Sequence, residues 1–325
     1  MNIVQVTSTA KPSTTERGQR FITKVLGYSM LLRTLMNFKI KATQHQYRPA
    51  AGSQTLAGRT TGNNYSGADL SPAALQAGEL SLHGFYLKYD QTYMADHNLG
   101  IGIDMDQWLE DELDDRAYDT ALEIDKLIIA SDGSSNTMEG IATILDGSAN
   151  VPGLGITMVI DALTGSGITG EDSFDLSASA NYNTALEQVD KWKGEVMGAN
   201  ALICNESAKA RFTTIAREKH ALTWSKDEFG NPIEVVNGLK IIAVDDSVIT
   251  KAEPDNAGTP VNETTSIYII NNSEGLWNIN TNSGLAFYDY GELPGEQQEG
   301  MSFEFRAKNE IKRKRAIRRV RNIKL

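Results

Sequence analysis

Among the 325 residues, the stretch that most resembles a chemical motif is Gly165-Ser166-Gly167-Ile168-Thr169-Gly170, a literal G-x-G-x-x-G after an apolar segment. In a dinucleotide site the third glycine sits inside the opening helix, where the backbone approaches the pyrophosphate. Here GEDSFDLSASAN intervenes before any helical pattern begins, so a flexible glycine loop is the better reading. A second candidate, Asp132 to Gly140 (DGSSNTMEG), supplies oxygen ligands in a short loop but lacks the carboxylate order of a calcium-binding EF-hand. His45, His83, His97 and His220 are scattered, with no metal-binding spacing. If residues 38–47 and 79–94 pair, His45 and His83 face each other, as a solvated pair rather than a metal site. Cys204, the lone cysteine, excludes an intramolecular disulfide and carries no catalytic signature; it reads as a buried small hydrophobe. No nucleophile elbow is present. No catalytic, metal or cofactor residues are therefore assigned, and the chain reads as a non-enzyme.

The densest run of titratable groups lies in residues 104–130 (DMDQWLEDELDDRAYDTALEIDKLIIA). Its carboxylates, Asp104, Asp106, Glu110, Asp111, Glu112, Asp114, Asp115, Asp119, Glu123 and Asp125, are spread around the chain axis rather than focused into an acid/base pair. What is periodic is the apolar set. Leu109, Leu113, Ala117, Ala121, Ile124 and Ile128 recur every three or four residues, which predicts one long helix with a single buried face. Asp104 suits its N-cap, and Gly133 a left-handed stop after Ala130. At 1.5 Å per residue the helix would be roughly 40 Å long.

The formal net charge of −11 is segregated. Residues 1–50 carry +7 and residues 306–325 carry +9, leaving −27 for the middle. Basic ends that also hold regularly spaced apolar residues are expected to pack against acidic surfaces, in the same subunit or a neighbour. Nothing is long and apolar enough to cross a membrane, and the N-terminus lacks the regions of a signal peptide.

Residues 1–20 read as an extended polar arm and 21–36 as a short helix. Residues 38–47 (FKIKATQHQY) and 79–94 (ELSLHGFYLKYDQTYM) alternate as strands, and the long Gly/Ser/Thr-rich connection between them predicts a projecting hairpin. Helices are expected at 183–197 and 206–219. Strands are expected at 155–163 (or a short helix), 201–204, 239–244, 266–270, 276–280 and 285–290, with one exceptionally long final strand over 303–324. No internal repeat is evident.

This order of parts resembles the HK97-fold major capsid proteins of tailed bacteriophages. The likeness is carried by residues 127–140 (LIIASDGSSNTMEG), by residues 192–212 (WKGEVMGANALICNESAKARF) with Asn205 at the family's asparagine position, and by Glu274-Gly275-Leu276 before the basic final strand. The resemblance implies an α+β chain with a long spine helix. Its expected parts are an N-terminal arm (1–37), an extended loop or E-loop (38–94), a P domain (95–150 and 271–325) and an A domain (151–270). It implies self-assembly into hexamers and pentamers of an icosahedral virion shell around double-stranded DNA, in the host cytoplasm. Separate scaffolding, portal and decoration proteins would be further partners. DNA would be touched only weakly and non-specifically, because an acidic lining displaces few counterions. No covalent crosslink between subunits is expected. The encapsulin nanocompartment shell shares the fold and is the nearer rival; an enzyme using the 165–170 loop is the remote one.

The expected subunit contacts are Lys41, Arg48, Arg59 and Lys88 of the hairpin, Asp111, Asp114 and Asp115 of the helix, and Arg313, Arg315 and Arg318 of the final strand. The basic arm and final strand are expected to lie beside the acidic helix, within and between subunits.

Overall fold

The computed structural model describes residues 16–35, 37–40, 44–47, 76–90, 105–146, 150–151, 156–157, 159–161, 175–177, 179–226, 232–254, 260–273, 276–281, 285–292, 298–311 and 313–325. The long helix forms as its periodicity requires, over Met105–Ile129. All six residues of its apolar stripe, Leu109, Leu113, Ala117, Ala121, Ile124 and Ile128, are buried. They share one core with Phe287, Met301, Phe303, Phe305, Ala307 and Ile311 of the sheet beneath. The expected N-cap, Asp104, lies outside the described residues.

The expected stop is corrected. The helix ends at Ile129, and Gly133 (φ +75°) instead turns a small hairpin in which Asp132 bridges Glu139. Ser135 and Asn136 share its positive φ, so polar residues close this turn together with the glycine. Gly140 is required for a different reason. A Cβ there would stand 2.6 Å from both the Ile129 carbonyl oxygen and the Ser131 nitrogen, so only glycine lets the loop return against the helix end.

A five-stranded sheet carries this helix. Its organising strand, Glu299–Ile311, pairs antiparallel with Ser81–Tyr89 and Ala286–Glu292 along its first half and with Leu276–Thr281 along its second. Asn37–Ile40 pairs parallel with Leu276–Thr281. A nine-stranded sheet forms the second layer, centred on the buried strand Thr264–Ile270, which lies between Ala201–Asn205 and Ile317–Lys324. Helices Tyr182–Glu195 and Glu206–Glu218 bury Val189, Trp192, Phe212 and Ile215 in a second core with that sheet.

The single long final strand is the clearest correction. It is two strands, Glu299–Ile311 and Ile317–Lys324, joined through a 3-10 turn at Lys314–Ala316, and each belongs to a different sheet. Of the expected hairpin strands, Gln44–Tyr47 and Gln76–Glu79 pair with each other, Gln44 opposite Glu79. Among the described residues, Asn37–Ile40 and Ser81–Tyr89 belong instead to the five-stranded sheet. His45 therefore lies opposite Gly78 and His83 opposite Phe305, so the expected histidine pair does not exist. Residues 48–75, with Arg48 and Arg59, lie outside the described residues, as do Lys41, His97 and the glycine loop 165–170.

Residues 16–35, expected as an extended arm followed by one short helix, form two helices instead, Glu16–Tyr28 and Met30–Thr34. The first buries Phe21, Ile22, Val25 and Leu26, spaced to make a single face. Phe21 enters an aromatic cluster, 5.0 Å from Phe287 and 5.7 Å from Phe303 between ring centroids. Full burial of a side chain this size contributes about 2–3 kcal/mol.

Candidate subunit-contact surfaces

The expectation of a basic arm beside an acidic helix is met within the chain. Arg20 reaches Glu110 at 2.6 Å and Asp114 at 3.8 Å, and Lys24 also pairs with Asp114. Asp114 is thus occupied by its own arm. Asp111 and Asp115, one turn apart, are exposed and make no ion pair among the described residues. With Asp119 and Glu123 they leave an acidic strip along the helix, broken by Arg116, which pairs with Glu112 at 2.9 Å.

Of the basic end, the strand Glu299–Ile311 lies beneath this helix, while the charges of Ile317–Lys324 pair elsewhere. Arg319 is buried and threads three groups: Asp146 at 2.8 Å, Glu253 at 2.6 Å and the Ser266 hydroxyl at 3.1 Å. Glu253 is itself buried and accepts from the Asn322 backbone N–H at 2.9 Å and from the Ser266 hydroxyl. Burial opposes the Arg319 charge, but Tyr268, Glu253 and Asp146 outweigh it and hold its pKa above the ordinary value. Burial likewise pushes the Tyr268 phenol up to about 12. Arg318 turns inward beside the Glu195 carboxylate, and burial lowers its pKa to about 10. Lys324 pairs with Asp175 at 2.9 Å. Arg318 and Arg319 therefore face inward, answered by carboxylates of Glu195, Asp146 and Glu253, while the exposed Lys324 pairs with Asp175 at the surface. Arg315 remains exposed, Arg313 is half-buried and Lys88 is exposed, its ammonium 5.9 Å from the Tyr86 ring centre.

Lys88 introduces a surface that charge counting does not show. On the face of the five-stranded sheet away from the spine helix, Tyr86 stands 6.1 Å from Tyr290, which stacks on Tyr288 at 6.3 Å. Tyr86 is 48% exposed, Tyr290 52% and Leu82 50%. The alternation of residues 79–94 holds the signal for this surface, because it places Leu82, Tyr86 and Lys88 on one side. Large rings with a polar tip left in water are the side chains that contribute most when an interface closes over them.

The described residues hold no group of three or more metal-ligating side chains, and no helix among them is long and apolar enough to cross a membrane. Cys204 is fully buried, and that burial pushes its thiol well above the usual range, so it is not a nucleophile in this fold. His83 is packed 5.1 Å from the Phe305 ring, and burial lowers its pKa. Asp132 accepts from the Ser134 backbone at 2.9 Å, which holds its carboxyl below the usual value.

Neither a family model nor a curated protein sequence matches the chain. Solved structures do. The capsid of an empty GTA particle is 15% identical, with 91% of this chain and 90% of that one covered and a TM-score of 0.54. The holo-SrpI encapsulin complex of Synechococcus elongatus is 11% identical over 96% and 89%, with a TM-score of 0.52. Mycobacterium phage Adephagia is 9% identical over 90% and 89%, with a TM-score of 0.53. The fold is an α+β shell-protein fold, shared along most of the chain. It is the HK97-like capsid fold, with Met105–Ile129 as its spine helix.

Proposed function

We propose that this chain is a major capsid protein of a tailed bacteriophage, assembling as hexamers and pentamers into an icosahedral shell around double-stranded DNA. The observation that carries the reading is the match to the capsid of a GTA particle across nine tenths of both chains. The proposed parts are the arm (1–37), the extended loop (38–94), the P domain (95–150 and 271–325) and the A domain (151–270), with the strand Ile317–Lys324 crossing into the A-domain sheet.

Physical features support self-association. The ladder of Gln44–Tyr47 with Gln76–Glu79 is a two-stranded sheet by itself. Such a ribbon is only marginally stable alone and gains burial by lying on a neighbour. A head-to-tail contact of that kind closes into rings. In this account Asp111 and Asp115 face basic residues of an adjacent subunit, drawn from Arg315, Lys88, Lys41, Arg48 and Arg59. Scaffolding, portal and decoration proteins are the proposed further partners.

An encapsulin-type shell is the second reading, favoured by the likeness to the encapsulin complex. The two are separated by content. Particles isolated from their native source should hold nuclease-protected double-stranded DNA of uniform length. A single enclosed enzyme with no DNA would instead establish the nanocompartment.

A further inference from the structure

The joint between the two arm helices rests on a buried carboxyl group. Ser29, fully buried, is the only residue between Glu16–Tyr28 and Met30–Thr34 and has extended backbone (φ −79°, ψ 109°). Its hydroxyl accepts from the Leu32 N–H at 3.1 Å, capping the second arm helix, and donates to Asp125 of the spine helix. Its own N–H closes the first arm helix on the Val25 carbonyl at 3.0 Å. One residue thus ends one helix through its backbone, starts the next through its side chain and ties both to the spine. Asp125 is buried at this point, on the helix face that carries the buried Ala121 and Ile128.

Little positive charge surrounds it. Arg33 of the second arm helix is the cation whose field reaches Asp125, and its guanidinium also lies 3.1 Å from the Met30 sulfur. On the first arm helix Arg20 and Lys24 are turned to Glu110 and Asp114. On the spine helix Lys126 pairs with Glu123 at 2.6 Å. The strand Leu239–Val244, which the second arm helix touches, buries Ile242 and Val244 in this core and exposes Lys240.

We propose that the Asp125 carboxyl and the Ser29 hydroxyl form a proton-operated latch, by which protonation fastens the two arm helices to the spine and ionisation loosens them. A buried carboxylate with one hydroxyl donor is poorly solvated, and release of the arm returns it to water. Burial, opposed by the Ser29 hydrogen bond and Arg33, raises Asp125 from 3.8 to about 7. The sign follows. Between those values the docked arm holds a proton that the released arm does not, so docking is strongest at low pH, weakens as pH rises through about 7 and is constant above it. The latch belongs to the single subunit and does not depend on the shell reading.

Hydrogen exchange of the whole chain, followed by mass spectrometry and corrected for intrinsic rates, tests it. Protection of residues 21–35 should fall by at least about tenfold between pH 5 and pH 8, and Asp125→Asn, a neutral isostere, should abolish that fall. A wild-type profile without the fall, or an Asn variant that keeps it, overturns the latch. Ser29→Ala supplies an independent arm, because losing the hydroxyl donor should move the midpoint to higher pH. An unmoved midpoint also counts against the proposal.

Discussion

The Asn309 side-chain amide donates to the Ile128 carbonyl at 3.0 Å and, from the same nitrogen, to the Glu139 carbonyl at 2.9 Å. A buried amide on the central strand thus holds the last turn of the spine helix and the hairpin that follows it. Helix-end carbonyls have no partner within the helix, so a side chain from the sheet satisfies what the helix cannot.

Asn309→Ala should destabilise the subunit by about 1–3 kcal/mol, since it strands one buried carbonyl and frees a second that is partly exposed. Gly140→Ala should act on the same junction, because the added methyl meets backbone rather than a movable side chain. Denaturant unfolding of each variant measures both. A loss below about 0.5 kcal/mol for Asn309→Ala would show that the junction is held by packing alone.

Arg319→Ala should cost about 3–5 kcal/mol, because Glu253 would remain buried with its main cation removed. Arg319→Lys should recover little of this, since an ammonium cannot span Asp146, Glu253 and Ser266 together. Thermal unfolding of the two variants beside wild type gives the comparison.

The acidic positions should divide into two groups. Asp114→Lys should weaken arm docking, where Lys24 loses its partner and Arg20, still paired with Glu110, meets a like charge. Asp111→Lys and Asp115→Lys should leave subunit unfolding within about 0.5 kcal/mol, as exposed charges contribute little singly. On the shell reading the last two still reduce assembly yield, and raising salt reduces it in wild type. Sedimentation of assembled against free protein reads both effects.

Tyr86→Ser and Tyr290→Ser should each cost the subunit about 1–2 kcal/mol and leave it folded, because both rings are about half exposed and the Tyr290 hydroxyl is hydrogen-bonded with Ser302 at 2.9 Å. If a neighbouring subunit covers this face, each substitution lowers the assembled fraction, and the pair lowers it further. Unchanged sedimentation profiles would remove the tyrosine face from the contact surfaces.

Elements built on local periodicity are readable from residues alone. The spine helix shows a stripe of six apolar positions, and Asn205 caps Glu206–Glu218 by accepting from the Ala208 N–H at 2.8 Å, next to a fully buried strand. The break in the final strand is not readable, because the basic residues around Lys314 continue the alternation while the chain changes sheets. Hairpin register fails for a related reason. Phe38 and His83 alternate as hairpin strands would, yet the five-stranded sheet takes both. Asn309, Asp125 and the Arg319–Glu253 pair were invisible as sites, since each joins residues distant in sequence and nothing local marks a polar side chain as buried. The tyrosine face was present in the alternation, but its exposure depends on which strands cover it.

Negative-stain electron microscopy of the purified protein tests the central claim most directly. Closed shells, or rings of five or six subunits, are predicted. A monodisperse monomer across protein concentration, salt and pH would contradict the assignment to a shell-forming subunit.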